Sequence, residues 1–272
     1  MNAMTKPLPQ APRDAAAPDD APPIVRVEGV TMRYANGVTA LDGIDLDFPR
    51  GKLTTLLGPS GCGKTTLLKI VAGLFRPTTG TVAVNGKVVT GPGPERALVF
   101  QDFALLPWAT VLRNVAFGLE LRGVAKSERE AIAARYIREV GLAGFENQYP
   151  NQLSGGMRQR AGLARALTVN ADILMMDEPF SAVDEQMRRK LQEDLLSLLQ
   201  VEKKTVIFVT HSIEEAVYLS DRIVLLSRRP SRVSAIRDPG IAHDLPPDQI
   251  RRDQRYLDTV DEIWDTLKQY LQ

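Results

Sequence analysis

LTTLLGPSGCGKTTLLKIVAGL, running from Leu53 to Leu74, decides the fold. LTTLL (Leu53 to Leu57) reads as a buried strand, GPSGCGKTT as a glycine-rich loop, and the apolar run after it as a helix. Gly58 to Thr65 match G-x-x-x-x-G-K-[ST]. In such a strand–loop–helix unit, free backbone N–H groups and the positive end of the helix dipole form an anion site. Gly58, Pro59, Ser60, Gly61, Cys62, Gly63, Lys64, Thr65 and Thr66 are therefore nucleotide-site candidates. Lys64 is suited to the β- and γ-phosphates of a nucleotide, and the Thr65 hydroxyl to Mg2+. A plain glycine turn at a helix start would not require that lysine. Cys62 lies beside Lys64 and a helix N-terminus, an electropositive setting that predicts a lowered thiol pKa. It also predicts that alkylation blocks hydrolysis unless ATP protects.

Outward from the loop, the chain alternates strands with helices, which implies an α/β core with a largely parallel sheet and ligands at the carboxyl ends of its strands. IVRVEGVTMRY from Ile24 and IDLDF, where Ile44, Leu46 and Phe48 share a face, read as antiparallel strands. Asn85-Gly86 inside TVAVNGKVVT signals a hairpin. Strands are expected at Ala97 to Phe100, at ILMM (Ile173 to Met176), at TVIFV and at RIVLLS. Residues from Thr110 to about Leu167 read as helical, a subdomain inserted over about 102–167. Val260, Ile263, Trp264, Leu267 and Leu271 form the stripe of an amphipathic C-terminal helix docked on the core.

Composition narrows the function classes. The chain has 272 residues, 44% hydrophobic and 25% charged, as in an ordinary globular protein. Lys plus Arg number 34 against 33 for Asp plus Glu, a net charge of +1, so no global field favours nucleic acid. One cysteine excludes an internal disulfide framework. No apolar run has the length to span a bilayer, and no signal peptide is legible. Residues 1–23, Pro- and Ala-rich, read as a disordered leader, with one domain over residues 24–272.

A second chemical signal is ILMMDEP, an apolar strand ending in Asp177-Glu178. Asp177 is placed to hold Mg2+ and Glu178 to polarise the water attacking the γ-phosphate. The third is LSGGMRQR, Leu153 to Arg160, in which Ser154, Gly155 and Gly156 open a helix suited to a phosphate.

LSGGMRQR resembles the signature of the ATP-binding-cassette (ABC) ATPases, and the resemblance extends from Ile24 to the C-terminus. It implies the P-loop ABC ATPase fold: a mostly parallel sheet, an antiparallel β-subdomain and an inserted helical subdomain. It also implies a head-to-tail dimer of two copies of the chain, in which the signature of one closes on ATP held by the other. Tyr34 matches the residue that stacks on adenine, a plain strand-end tyrosine being the alternative. Gln101 matches the glutamine that senses Mg2+ and the attacking water, Asp184 the loop that communicates across the dimer, and His211 the histidine that contacts the γ-phosphate. His243, in a Pro-rich loop, reads as merely exposed.

FALLPWATVLRNVAFGLELRG, following Gln101, looks like the stretch that faces the permease in ATPase subunits of the nitrate, sulfonate and taurine importer group. Leu105, Leu106, Pro107 and Trp108 are its distinctive residues, although Trp108 could instead fill the core of the helical lobe. Ser212 and Ser231 depart from the group's usual Asp and Gly. The resemblance implies a peripheral ATPase on the cytoplasmic face of the inner membrane, docked on integral-membrane permease subunits and served indirectly by an external solute-binding protein. An exporter ATPase is the alternative, and a soluble cassette acting on DNA or ribosomes a more distant one: the chain carries no heptad insertion and no basic block.

Overall fold

Apolar residues alternate along the first strands, and burial follows the alternation. The computed structural model describes residues 22–181, 183–241 and 246–270. Residues 1–21 of the leader, Ala182, His243 and Leu271 lie outside these. β1 (Val25–Arg33) pairs antiparallel with β2 (Thr39–Phe48), setting Val25 opposite Phe48 and Val30 opposite Ile44. β3 (Leu53–Leu57) is buried along its whole length and leads through the glycine loop into α1 (Lys64–Val71). β4 (Thr79–Val84) and β5 (Lys87–Val88) form the hairpin signalled by Asn85-Gly86. Both turn residues have positive φ, 50° and 74°, as the hairpin turn requires.

After β6 (Arg96–Val99) come three helices, α2 (Val111–Leu121), α3 (Lys126–Glu139) and α4 (Gly155–Thr168). The chain then returns to the sheet through β7 (Ile173–Asp177), α5 (Glu185–Glu202), β8 (Thr205–Thr210), α6 (Ile213–Leu219) and β9 (Arg222–Leu226). β10 (Val233–Arg237), α7 (Pro247–Ile250) and α8 (Gln254–Lys268) close it.

Two sheets result. The antiparallel one has the order β2-β1-β4-β5, and the larger one β10-β9-β3-β8-β7-β6. The five strands from β9 to β6 are parallel, and β10 runs antiparallel at the edge. That edge strand had no separate signal in the sequence, because VSAIR is short and only partly apolar.

Successive residues of the parallel strands feed two cores, as the two-residue strand period demands. Leu57, Val99, Met176 and Phe208 join the core under α2 to α6 and α8. Leu56, Met175, Ile207 and Val209 join the core shared with α1 and the antiparallel sheet. In α8, Ile263 and Leu267 are buried, but Trp264 is 52% exposed and does not belong to the docked stripe. Only one side of a helix can face the core, and Ile263, one position away, takes the inward direction.

Candidate nucleotide site

The strand order brings the chemistry to one edge. Across β3, β8, β7 and β6, the carboxyl ends carry in turn the glycine loop, His211, the Asp177-Glu178 pair and Gln101. Leu57 lies opposite Thr210, and Asp177 opposite Val209, so the last residues of β3, β8 and β7 are neighbours across the sheet.

Gly63 has φ 117°, a conformation that strains any residue with a side chain, and a Cβ there would also crowd the Ala40 carbonyl oxygen at 3.2 Å. Gly63 is also the N-cap of α1 and supplies no side chain to it, leaving the first-turn N–H groups without a side-chain cap. By contrast, Thr110, Ser154, Asp184, Ser212 and Asp253 cap α2, α4, α5, α6 and α8 with side-chain oxygens. Lys64 is 4% exposed, and its Nζ donates to the carbonyls of Gly58 at 2.7 Å and Pro59 at 3.1 Å. The loop is thus held in a ring around its own ammonium group.

Thr65 Oγ1 donates to Asp177 Oδ1 at 2.8 Å, joining the start of α1 to the end of β7. Burial raises the Asp177 pKa, the Thr65 hydrogen bond opposes that rise, and the Glu178 charge adds to it. Glu178 has φ 46°, a left-handed conformation that costs a non-glycine residue about 1–2 kcal/mol. Its N–H donates to the Val209 carbonyl at 3.0 Å, and its Oε2 lies 3.0 Å from His211 Nδ1. A carboxylate and an imidazole so placed can take up and hand on a proton. Gln101 is exposed; its Nε2 reaches Ser181 Oγ at 3.4 Å, and that hydroxyl donates to the Glu178 carbonyl at 2.9 Å.

Tyr34, directly after β1, meets the first turn of α1, its hydroxyl 2.9 Å from Thr66 Oγ1. Ser154, Gly155 and Gly156 stand apart from this edge. Ser154 Oγ accepts from the Met157 N–H at 3.3 Å, and a Cβ on Gly156 would touch Met187 of α5. Among the described residues, no hydrogen bond or ion pair joins that turn to the glycine loop of the same chain. Asp184 caps α5, its Oδ1 accepting from the Met187 N–H at 2.9 Å.

Cys62 departs from expectation. It is 2% exposed, and burial raises its thiol pKa more than Lys64 and the backbone lower it. With the thiolate disfavoured, alkylation at neutral pH is expected to be far slower than for a free cysteine and to quicken as pH rises towards the raised pKa. Iodoacetamide labelling followed by mass spectrometry across pH 7 to 9.5 checks this; fast, pH-insensitive labelling of folded protein would contradict it.

Two residues that composition and motif did not flag hold the neighbouring loops. Asn114, fully buried in α2, accepts from the Leu106 N–H at 2.7 Å and donates to the carbonyls of Leu106, Ala109 and Thr110. Arg165 of α4 donates to the carbonyls of Ala104 at 2.7 Å and Phe103 at 2.6 Å. The loop so pinned carries Trp108 outward, 70% exposed, so Trp108 does not fill the core of the helical lobe. An amide inside the apolar run VLRNVAFGL was the one available hint of Asn114.

A capless helix start behind a glycine loop, joined at a parallel sheet edge by a buried aspartate and a glutamate–histidine pair, defines a P-loop nucleotide-binding α/β protein. The family profile for ABC transporters matches residues 41–181. An uncharacterized ABC transporter ATP-binding protein of Methanocaldococcus jannaschii is 51% identical over 247 residues, covering 90% of this chain and 91% of its own. The taurine import ATP-binding protein of Chromobacterium violaceum is 50% identical over 212 residues, 77% of this chain and 81% of its own. A dimeric ATP-binding cassette solved in a post-hydrolysis state with ADP and Pi superposes with TM-score 0.71 at 32% identity, over 79% of this chain and 98% of that one. The chain belongs to the ABC transporter family, as an ATP-binding subunit whose ATPase activity is coupled to transport. Among the described residues, no helix is long and apolar enough to cross a membrane.

Proposed function

We propose that the chain energises import of a small sulfonate such as taurine, or a related small anion such as nitrate, from the cytoplasmic face of the inner membrane. The relatives named for taurine import support import over export. The observation that carries docking to a permease is Trp108, 70% exposed on a loop held by the buried Asn114 and close in sequence to Gln101. A large aromatic side chain on a rigid loop buries much area at little entropic cost, as interface anchors do.

Two copies would pair head to tail, Ser154, Gly155 and Gly156 of one facing ATP on the glycine loop of the other, with Asp184 at the contact. The stretch about residues 102–167 would act as an inserted helical lobe, the rest of residues 24–272 as the ATPase core. In each site Lys64 and the N–H groups at the start of α1 bind the phosphates, and Tyr34 stacks on adenine. Thr65, Asp177 and Gln101 offer hydroxyl, carboxylate and amide oxygens, the donor set of Mg2+. Bound there, Mg2+ would neutralise charge on the β- and γ-phosphoryl oxygens. Glu178 takes the proton of the attacking water, and His211 holds the γ-phosphate and orients Glu178. Selection of the solute falls to the permease and the external binding protein.

Affinity-tagged protein recovered from gently solubilised native membranes tests this. Wild type is expected to bring down a polytopic permease, and Trp108→Ala to lose most of it while keeping basal ATPase within about twofold, since one anchor commonly carries over 2 kcal/mol of binding. Equal recovery of the permease by both would overturn Trp108 as the anchor; recovery of ribosomes or nucleic acid in place of a permease would overturn the transport reading.

A further inference from the structure

His211 projects from the turn between β8 and α6 with its side chain 55% exposed, so packing does not fix the ring. The turn itself is fixed. Thr210 Oγ1 accepts from the Ser212 N–H at 3.1 Å, closing over His211, and donates to Glu215 Oε2 at 2.5 Å. Ser212 Oγ accepts from the Glu215 N–H at 3.2 Å. Glu215 therefore holds both neighbours of the histidine, one through its side chain and one through its main chain.

Its carboxylate is in turn held from behind. Oε1 accepts from Gln192 Nε2 at 3.3 Å and faces Arg188 Nε at 3.7 Å, both on α5. Gln192, 2% exposed, uses its own Oε1 to accept from Arg251 Nη2 at 2.7 Å. Arg251, at the end of α7, lies 4.0 Å over the Tyr218 ring. A buried polar chain is costly unless each member is satisfied, so its tolerance behind an exposed histidine needs a reason.

We propose that Glu215 is a positioning residue for His211, and that Gln192 and Arg251 hold Glu215 so that α5 and the C-terminal segment set the histidine's place over the nucleotide. The proposal rests on the reading of His211 given above. Asp184 is the N-cap of α5, so the same chain of contacts joins the histidine to the segment assigned to contact with the second copy.

The test measures kcat, KM and, separately, the affinity for a fluorescent ATP analogue on the full chain. In Glu215→Gln a single amide oxygen replaces two carboxylate oxygens, so either Gln192 Nε2 or the Thr210 hydroxyl loses its acceptor. Loss of one such hydrogen bond is expected to lower kcat about tenfold with nucleotide affinity unchanged. Combining it with Gln192→Glu restores donor to acceptor, leaves Arg251 its partner, and is expected to return kcat to within about threefold of wild type. Wild-type kcat in E215Q, or a double variant no better than E215Q, would overturn the proposal. H211A is run alongside. Wild-type turnover there would overturn the reading of His211 and the need to position it, whereas a dead H211A beside a fully active E215Q overturns only the role of Glu215.

Discussion

Glu178→Gln is expected to reduce ATP turnover by at least about 100-fold, the lower end of what a general base supplies, while leaving ATP binding intact. The glutamine is isosteric and its oxygen can still face His211, which lies 3.0 Å from the carboxylate in the wild type. It cannot accept a proton from water at neutral pH. The main chain at this position is fixed independently of the side chain, by the N–H to Val209 at 3.0 Å and the carbonyl to the Ser181 hydroxyl at 2.9 Å. A substitution beyond Cβ should therefore leave the backbone, including its φ of 46°, in place. ATP then persists in the site, and the two-copy form should accumulate with ATP and not with ADP. Single-turnover hydrolysis with light scattering reads both effects. Turnover within about threefold of wild type would remove Glu178 from the role of base, since a base contributes orders more than that.

Much of this edge was legible because its parts are local. A buried strand, a G-x-x-x-x-G-K-T loop and a helix occupy consecutive residues, and the β-hairpin turn needs only Asn85 and Gly86 in positive φ. The acidic pair and His211 were legible for a similar reason, each closing an apolar strand whose place in a parallel sheet fixes which edge it reaches. What escaped was set by burial and by distant partners. Cys62 has the electropositive neighbours the sequence suggests, but it is packed into the second core, and desolvation outweighs them. Trp264 stands one residue from Ile263, and which of two adjacent apolar residues faces inward depends on how α8 meets α6. Asn114, Arg165 and Glu215 gave no motif, because each acts through bonds to backbone or side chains that only the folded chain brings near.

Lys64→Ala is expected to abolish the stabilisation that ATP gives the protein while barely changing the stability of the nucleotide-free chain. Lys64 is buried, and its ammonium meets only the carbonyls of Gly58 and Pro59; among the described residues no carboxylate lies within ion-pair distance of it. An ammonium group without a counter-ion in a desolvated site costs several kcal/mol, and two carbonyl hydrogen bonds offset part of that. Removing it forfeits those bonds and relieves the buried charge, so the net change in the free protein should be within about 1 kcal/mol. With ATP the balance reverses, because phosphate is the counter-charge the site lacks. Loss of a charge-assisted contact there should weaken ATP binding about 100-fold. A nucleotide binding only the folded state raises its stability by RT ln(1 + [L]/Kd), so 1 mM ATP should raise Tm clearly in wild type and hardly at all in K64A. Lys64→Arg should not rescue, since a planar guanidinium cannot occupy the ring formed by the loop carbonyls around a compact ammonium. Differential scanning fluorimetry of the three proteins with and without ATP decides it: an undiminished ATP-dependent rise in K64A would mean that the glycine loop binds phosphate through its N–H groups and helix dipole alone.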